Sequence, residues 1–192
     1  MSKPRILALA GSTRSESFNK KLVSHASALA TEAGADVSLI DLREFDMPLY
    51  DGDLEESTGL PENANRLYDL FKSHDALLLS SPEYNGSISA VLKNAIDWVS
   101  RPREGDVALA AFSGKIAGLM AASPGGLGGL RGLAHVRAVL STLGMLVLPS
   151  QVAVAKVHEA FNDDGSLKDE RTSGMLRELV GAVVRTTDRL NV

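Results

Sequence analysis

The sequence predicts a three-layer α/β fold, a parallel sheet of five strands with helices on both faces. Two observations carry this. Apolar runs of strand length alternate with longer amphipathic stretches along the 192 residues, and that alternation makes neighbouring strands parallel. The apolar runs are near-continuous, as burial on both faces requires. Residues 5–10 (RILALA) read as a buried strand stopped by Gly11. Residues 17–34 read as a helix with Leu22, Ala26, Leu29 and Ala30 on one face and Gly34 as its stop. Residues 36–41 give the second strand, and residues 61–73 a helix opening at Pro61 with Leu67, Leu70 and Phe71 inward. Residues 75–81 give the third strand, 87–99 a helix, 115–122 the fourth strand and 128–143 a helix. Residues 145–149 give the fifth strand and 168–190 the final helix.

No internal repeat or linker divides the chain, so residues 1–192 are expected to form a single domain. Two doubly wound strand orders are common, and five strands without a second half favour the flavodoxin-like order 2-1-3-4-5. The irregular stretches 42–60, 100–114 and 150–167 are long enough to suggest function or an interface.

Composition excludes several classes. Hydrophobic residues make up 44% and charged residues 23%, which fits neither a disordered chain nor a membrane protein. A formal charge of −4 argues against a nucleic-acid partner. The absence of cysteine removes disulfides, thiolate metal sites and thiol catalysis, and fits a reducing compartment. The apolar run before Gly11 is too short for a signal-peptide core, and no later run reaches membrane-spanning length. A cytoplasmic protein without membrane insertion is expected. His25, His74, His135 and His158 show no metal-ligand spacing, and Asp163-Asp164-Gly165 reads as a turn, so no metal is expected.

Ligands of an open parallel sheet bind beyond the carboxyl ends of its strands. Three unusual segments fall there. The first, GSTRSESFN after strand one, holds Ser12, Thr13, Arg14, Ser15, Ser17 and Asn19. One such residue suffices to cap a helix. So many, with an arginine at a helix N-terminus, suit an anion. No Walker loop or dinucleotide fingerprint is present, so a terminal phosphate monoester fits better than a pyrophosphate. The second, SPEYNGS, places Glu83, Tyr84 and Asn85 between Pro82 and Gly86. This turn offers a ring and backbone groups to a planar heterocycle, or it simply caps the next helix through Ser87. The third, SPGGLGG at 123–129, permits close backbone approach to a ligand, or supplies a helix start that needs positive φ.

Taken together, GSTRSESFN, SPEYNGSISAVLKNAIDW and SPGGLGGLRG resemble the NADPH-dependent FMN reductase family, in order and spacing, across residues 5–150. The resemblance implies a flavodoxin-like fold with non-covalent FMN, and NADPH or NADH as electron donor. It implies that Ser12, Arg14, Ser17 and Asn19 hold the FMN phosphate. Pro82, Glu83, Tyr84, Asn85 and Gly86 would line the isoalloxazine, and Ser123, Gly125, Gly126 and Gly128 would close its other side. It implies a homodimer or homotetramer, with PLYDGD at 48–53 contributing to the interface. Trp98 fits either that interface or the core.

Hydride transfer through a flavin needs no nucleophile–base pair, so no catalytic side chain is expected, with Tyr84 and Glu83 only near the ring. The expected cycle is ping-pong, with a quinone, free flavin, azo compound or metal oxyanion such as chromate as the small-molecule acceptor. Arg101, Arg103 and Lys115 lie in loops that could meet a cofactor phosphate, though surface cations are common. A flavodoxin-type electron carrier without a substrate site is the alternative, and a flavin-free scaffold a third.

Overall fold

The computed structural model describes residues 3–190. Strands β1 (Arg5–Ala10), β2 (Asp36–Ile40), β3 (Ala76–Ser80), β4 (Ile116–Ala122) and β5 (Leu146–Val154) form one sheet of order β2-β1-β3-β4-β5. Every pairing is parallel. The fold is flavodoxin-like. The described helices are α1 (Phe18–Glu32), α2 (Gly52–Thr58), α3 (Glu62–Ser73), α4 (Ala90–Val99), α5 (Leu130–Thr142) and α6 (Glu170–Leu190).

Strand side chains alternate between faces, and the two cores follow that period. Ile6, Ala8, Leu78 and Met120 join the core under α1 and α6. Leu7, Leu9, Leu77, Leu79 and Leu119 join the core under α3, α4 and α5. Each fully buried leucine contributes roughly 1.5–3 kcal/mol, which explains why these strands carry no polar face to read. Gly118 lets α6 approach β4: a Cβ there would lie 2.6 Å from Val183 Cγ2.

Three boundaries differ from the sequence reading. The fifth strand runs to Val154 rather than stopping at Pro149, because β5 absorbs an irregularity around that proline. Ile116 pairs with Leu146 and Ala117 with Val147, and the ladder then resumes at Leu119 with Gln151. Proline donates no ladder hydrogen bond and is tolerated on an edge strand such as this one. The 42–60 stretch contains α2, capped by the Asp51 carboxylate on the N–H of Asp53 (2.9 Å) and ended by Gly59 at φ 75°. It buries no residue and so leaves no apolar period to detect. The fourth helix starts at Ala90, not at 87. Tyr84 and Ser87 exchange backbone hydrogen bonds of 2.9 and 3.0 Å across a two-residue hairpin. Asn85 (φ 51°) and Gly86 (φ 77°) both take the left-handed conformation that such a turn demands. The cap is therefore Ser89 rather than Ser87: its hydroxyl accepts from Leu92 N (3.3 Å) and donates to the Gly11 carbonyl (2.6 Å).

The LKNAIDW stretch has a structural role. Asn94 donates to the Pro48 carbonyl (2.9 Å) and accepts from Tyr50 N (2.8 Å), while Trp98 Nε1 donates to the same carbonyl (2.8 Å). Spaced one helical turn apart, the two side chains strap segment 48–50 across α4. Trp98 is fully buried within this chain, which decides for the core reading. The three loop cations also serve the fold. Arg101 pairs with Glu55 (2.8 Å), Arg103 lies 4.5 Å from the Tyr68 ring, and Lys115 donates to the carbonyls of Lys72 (2.9 Å) and His74.

Candidate functional site

The carboxyl ends of β1, β3 and β4 lie side by side, so three loops distant in sequence meet on one rim. Backbone bonds fix their exits: Gly11 N to the Ser80 carbonyl (2.9 Å), Ser81 N to Met120 (2.8 Å) and Ser123 N to Val154 (3.0 Å). The absent side chain of Gly11 is required here, because a Cβ would lie 2.9 Å from Leu92 on α4.

The first loop carries donors that the fold leaves unspent. Ser17 is the N-cap of α1, and its carbonyl accepts from Lys20 N (3.0 Å) and Lys21 N (3.1 Å). Its buried hydroxyl makes no capping bond, and no acidic residue occupies the first turn. Phe18 and Asn19 open the helix, so their N–H groups lack intrahelical acceptors. Ser12, also buried, accepts only from Arg14 N (3.3 Å). Among the described residues the Arg14 guanidinium has no hydrogen-bond or ion-pair partner, and it is exposed. Free hydroxyls, free N–H groups and a free cation at the positive end of a helix fit a phosphate.

Asn19 behaves differently. Its Oδ1 accepts from Ser80 Oγ (2.9 Å) and Ala122 N (3.0 Å), and its Nδ2 donates to the Ala122 carbonyl (2.9 Å). The amide thus locks α1 to the ends of β3 and β4, leaving one N–H for any ligand. The structure thus gives Asn19 a bracing role that the sequence reading did not include, beside the candidate anion site.

In the second loop Pro82 is buried, and Tyr84 projects half-exposed from the hairpin. Glu83 turns its carboxylate to the start of α5. It accepts from Arg131 N (3.1 Å), Gly132 N (3.2 Å) and Arg131 Nε (2.8 Å). Gly129 occupies the α5 N-cap and has no side chain to cap with, so Glu83 supplies the capping acceptor from another loop. Burial opposes its ionisation, but the bonds from Arg131 and Gly132 outweigh burial and hold it below the usual carboxylate range. The Glu83 carboxylate therefore belongs to α5 rather than to a ligand ring, leaving its backbone for the crevice.

The third loop divides in two. A Cβ on Gly128 (φ 62°) would lie 2.8 Å from the backbone of Ala153, Val154 and Ala155, and one on Gly129 (φ 92°) 2.7 Å from Ala121 Cβ. Gly128 is thus demanded by β5 and by its own left-handed conformation, as a helix start needing positive φ requires, whether or not a ligand also approaches it. Gly125 and Gly126 would meet, respectively, only Ser123 Oγ at 3.7 Å and nothing within 4 Å. They remain the open positions.

One cavity of about 230 Å³ joins the loops, with Ser12, Arg14, Ser17, Pro82, Tyr84 and Ser123 in its wall. Its wall also includes Phe18 and His158, which the sequence reading missed. His158 stands in a short 3-10 turn after β5 and sets its ring edge-on to Phe18, 5.1 Å between centroids. No local motif marks it, since its partner Phe18 stands at the other end of the sequence. A second cavity, about 330 Å³, shares Ser12, Arg14 and Tyr84 with the first. A third, about 430 Å³, shares Thr13 and Val91 with the second and none of its lining with the first.

This arrangement has close counterparts. The family model for NADPH-dependent FMN reductase matches residues 4–159. The chain belongs to the NADPH-dependent FMN reductase family. It is 34% identical over 187 residues to an NAD(P)H-dependent FMN reductase of Pseudomonas aeruginosa, covering 97% of this chain and 96% of that one. It is 36% identical over 166 residues to a quinone reductase of Pseudomonas putida, covering 86% and 85%. Among solved structures, the flavoenzyme NAD(P)H:(acceptor) oxidoreductase FerB from Paracoccus denitrificans superposes with a TM-score of 0.81 at 32% identity, covering 98% of both chains. Family membership explains why the three loops occur in this order: each follows a strand of the same sheet and each serves one rim.

Proposed function

We propose that this chain is an FMN-dependent oxidoreductase that moves electrons from NADPH or NADH to a small acceptor, with quinones the favoured class. The carrying observation is the set of unspent donors at the N-terminus of α1, facing the Pro82–Tyr84 turn across one crevice. The relatives named as reductases of FMN and quinones support the same reading.

FMN, when bound, supplies the two-electron chemistry. The chain's part is to hold and shape. Ser12, Ser17, Arg14 and the opening N–H groups of α1 hold the phosphate. Asn19 keeps α1 in register with β3 and β4, so those donors converge. Pro82 and the 83–86 backbone take the polar edge of the ring, with Tyr84 beside it, Asn85 and Gly86 setting the turn, and Ser123, Gly125 and Gly126 on the opposite side. No side chain is assigned a proton-transfer role.

Tyr84 is half-exposed at the rim, and in this reading donor and acceptor would take turns at that one face, a ping-pong order. An open face that asks only for a stackable acceptor would also admit free flavin, azo compounds or chromate. Among the described residues no helix is long and apolar enough to cross a membrane, and we place the enzyme in the cytoplasm as a single-domain subunit of a homo-oligomer. Steady NADPH oxidation by the FMN-loaded protein with a quinone tests the reading. An FMN-loaded protein that consumed no NADPH would instead fit an electron carrier.

A further inference from the structure

The three cavities form a row. The 330 Å³ cavity stands in the middle, sharing residues with each neighbour, while the outer two share none. If FMN takes the α1 end, as proposed above, the middle cavity, which reaches the same Tyr84, is the adjoining space for a donor's nicotinamide. The 430 Å³ cavity is then the continuation available to the rest of that donor.

The chemistry of that outer cavity is specific. Its wall is mixed: Leu42, Phe45 and Met47 from the stretch after β2 and Val91 and Ala95 from α4 give it apolar surface, and Thr13, Arg43, Asp46 and Asn94 give it polar surface. The Asn94 amide in its wall is spent on Pro48 and Tyr50. Arg43 is not spent. Its backbone N–H bonds to Asp41 (3.0 Å), but among the described residues its exposed guanidinium has no hydrogen-bond or ion-pair partner. Arg66, outside the wall, packs 5.1 Å from the Phe45 ring and donates to Asn63 (2.7 Å), which leaves Arg43 as the cation of the cavity wall. The opposing charge in the wall is Asp46, while nearby Asp41 is neutralised by Lys20 at 2.6 Å.

We infer that this cavity receives the adenosine half of the donor and that Arg43 engages its 2′-phosphate, favouring NADPH over NADH. A guanidinium fork matches a phosphate monoester in both charge and geometry. NADH carries only hydroxyls at that position and gives Arg43 nothing comparable. Asp46 works in the opposite sense, by repelling the same phosphate. This inference rests on the oxidoreductase reading and adds the donor's orientation and the residue that selects it.

The test compares FMN-loaded parent, Arg43→Gln and Asp46→Asn proteins. Arg43→Gln should lower kcat/KM for NADPH about tenfold and for NADH less than about twofold, since the lost bond is charge-assisted but solvent-facing. Asp46→Asn should raise the NADPH-to-NADH ratio. Calorimetry on the same loaded proteins should show adenosine 2′-monophosphate binding the parent more tightly than adenosine 5′-monophosphate, with that margin lost in Arg43→Gln. Equal changes for both donors, no change for either, or an unaltered margin between the two monophosphates would each overturn the inference. Failure of the parent to bind FMN would overturn the underlying functional reading first, and is seen in the loading step itself.

Discussion

At the residue scale, Arg14 and Asn19 separate binding from bracing. Arg14 has an unspent guanidinium at the mouth of the proposed anion site, so Arg14→Ala should weaken FMN by about 1.5–3 kcal/mol, the worth of a charge-assisted hydrogen bond. Riboflavin, which lacks the phosphate, should bind the variant almost as it binds the parent, and a fluorescence titration of both ligands checks this. Asn19→Ala should instead lower fold stability by about 2–3 kcal/mol, because it leaves Ser80 and the Ala122 backbone unsatisfied in the core. Urea unfolding of the ligand-free protein measures it. The sequence made Ser12, Arg14 and Ser17 legible because they exceed what one cap needs. It could not assign Asn19, whose partner Ala122 lies 103 residues away. His158 and Glu83 were obscured for the same reason: each is defined by a contact across the fold.

At the element scale, the α5 N-terminus depends on a carboxylate borrowed from another loop. Glu83 is ionised below its ordinary range in the fold, so its contribution is full above the unfolded value of about 4.3 and is lost as pH falls through the lower folded value. Glu83→Gln should therefore cost about 1 kcal/mol at pH 7, a typical figure for a charge at a helix N-terminus. The gap to the parent should close at acidic pH, where the parent carboxyl is itself protonated. Denaturant unfolding of both proteins at neutral and acidic pH would show whether it does. The hairpin gives a second test. Asn85 sits at φ 51°, which proline cannot adopt, so Asn85→Pro should disrupt the 84–87 turn and weaken FMN. Elements buried on both faces were readable from composition alone, as β1, β3 and β4 were. α2 was not, since a helix that buries nothing has no apolar stripe, and the far half of β5 was hidden behind Pro149.

At the scale of the whole molecule, the proposed assembly concerns the loops that the sheet leaves outside its two cores. Leu49, beside the 48–53 stretch, is 77% exposed and Val107 is 79% exposed, while α2 buries nothing in its own chain. Such residues suit the assembly that we propose, although apolar side chains exposed singly are ordinary on a protein surface. Sedimentation velocity at micromolar protein should show a homodimer or homotetramer, and a lone 20.3 kDa species would count against that assembly. The central claim, however, concerns the rim where three loops converge. Its most direct measurement is the visible spectrum of purified protein titrated with FMN and then mixed with NADPH without oxygen. The account predicts saturable FMN binding, bleaching of the flavin band by NADPH, and recovery of the band on adding a quinone. Protein that binds no FMN, or holds FMN that NADPH leaves unbleached, would contradict it.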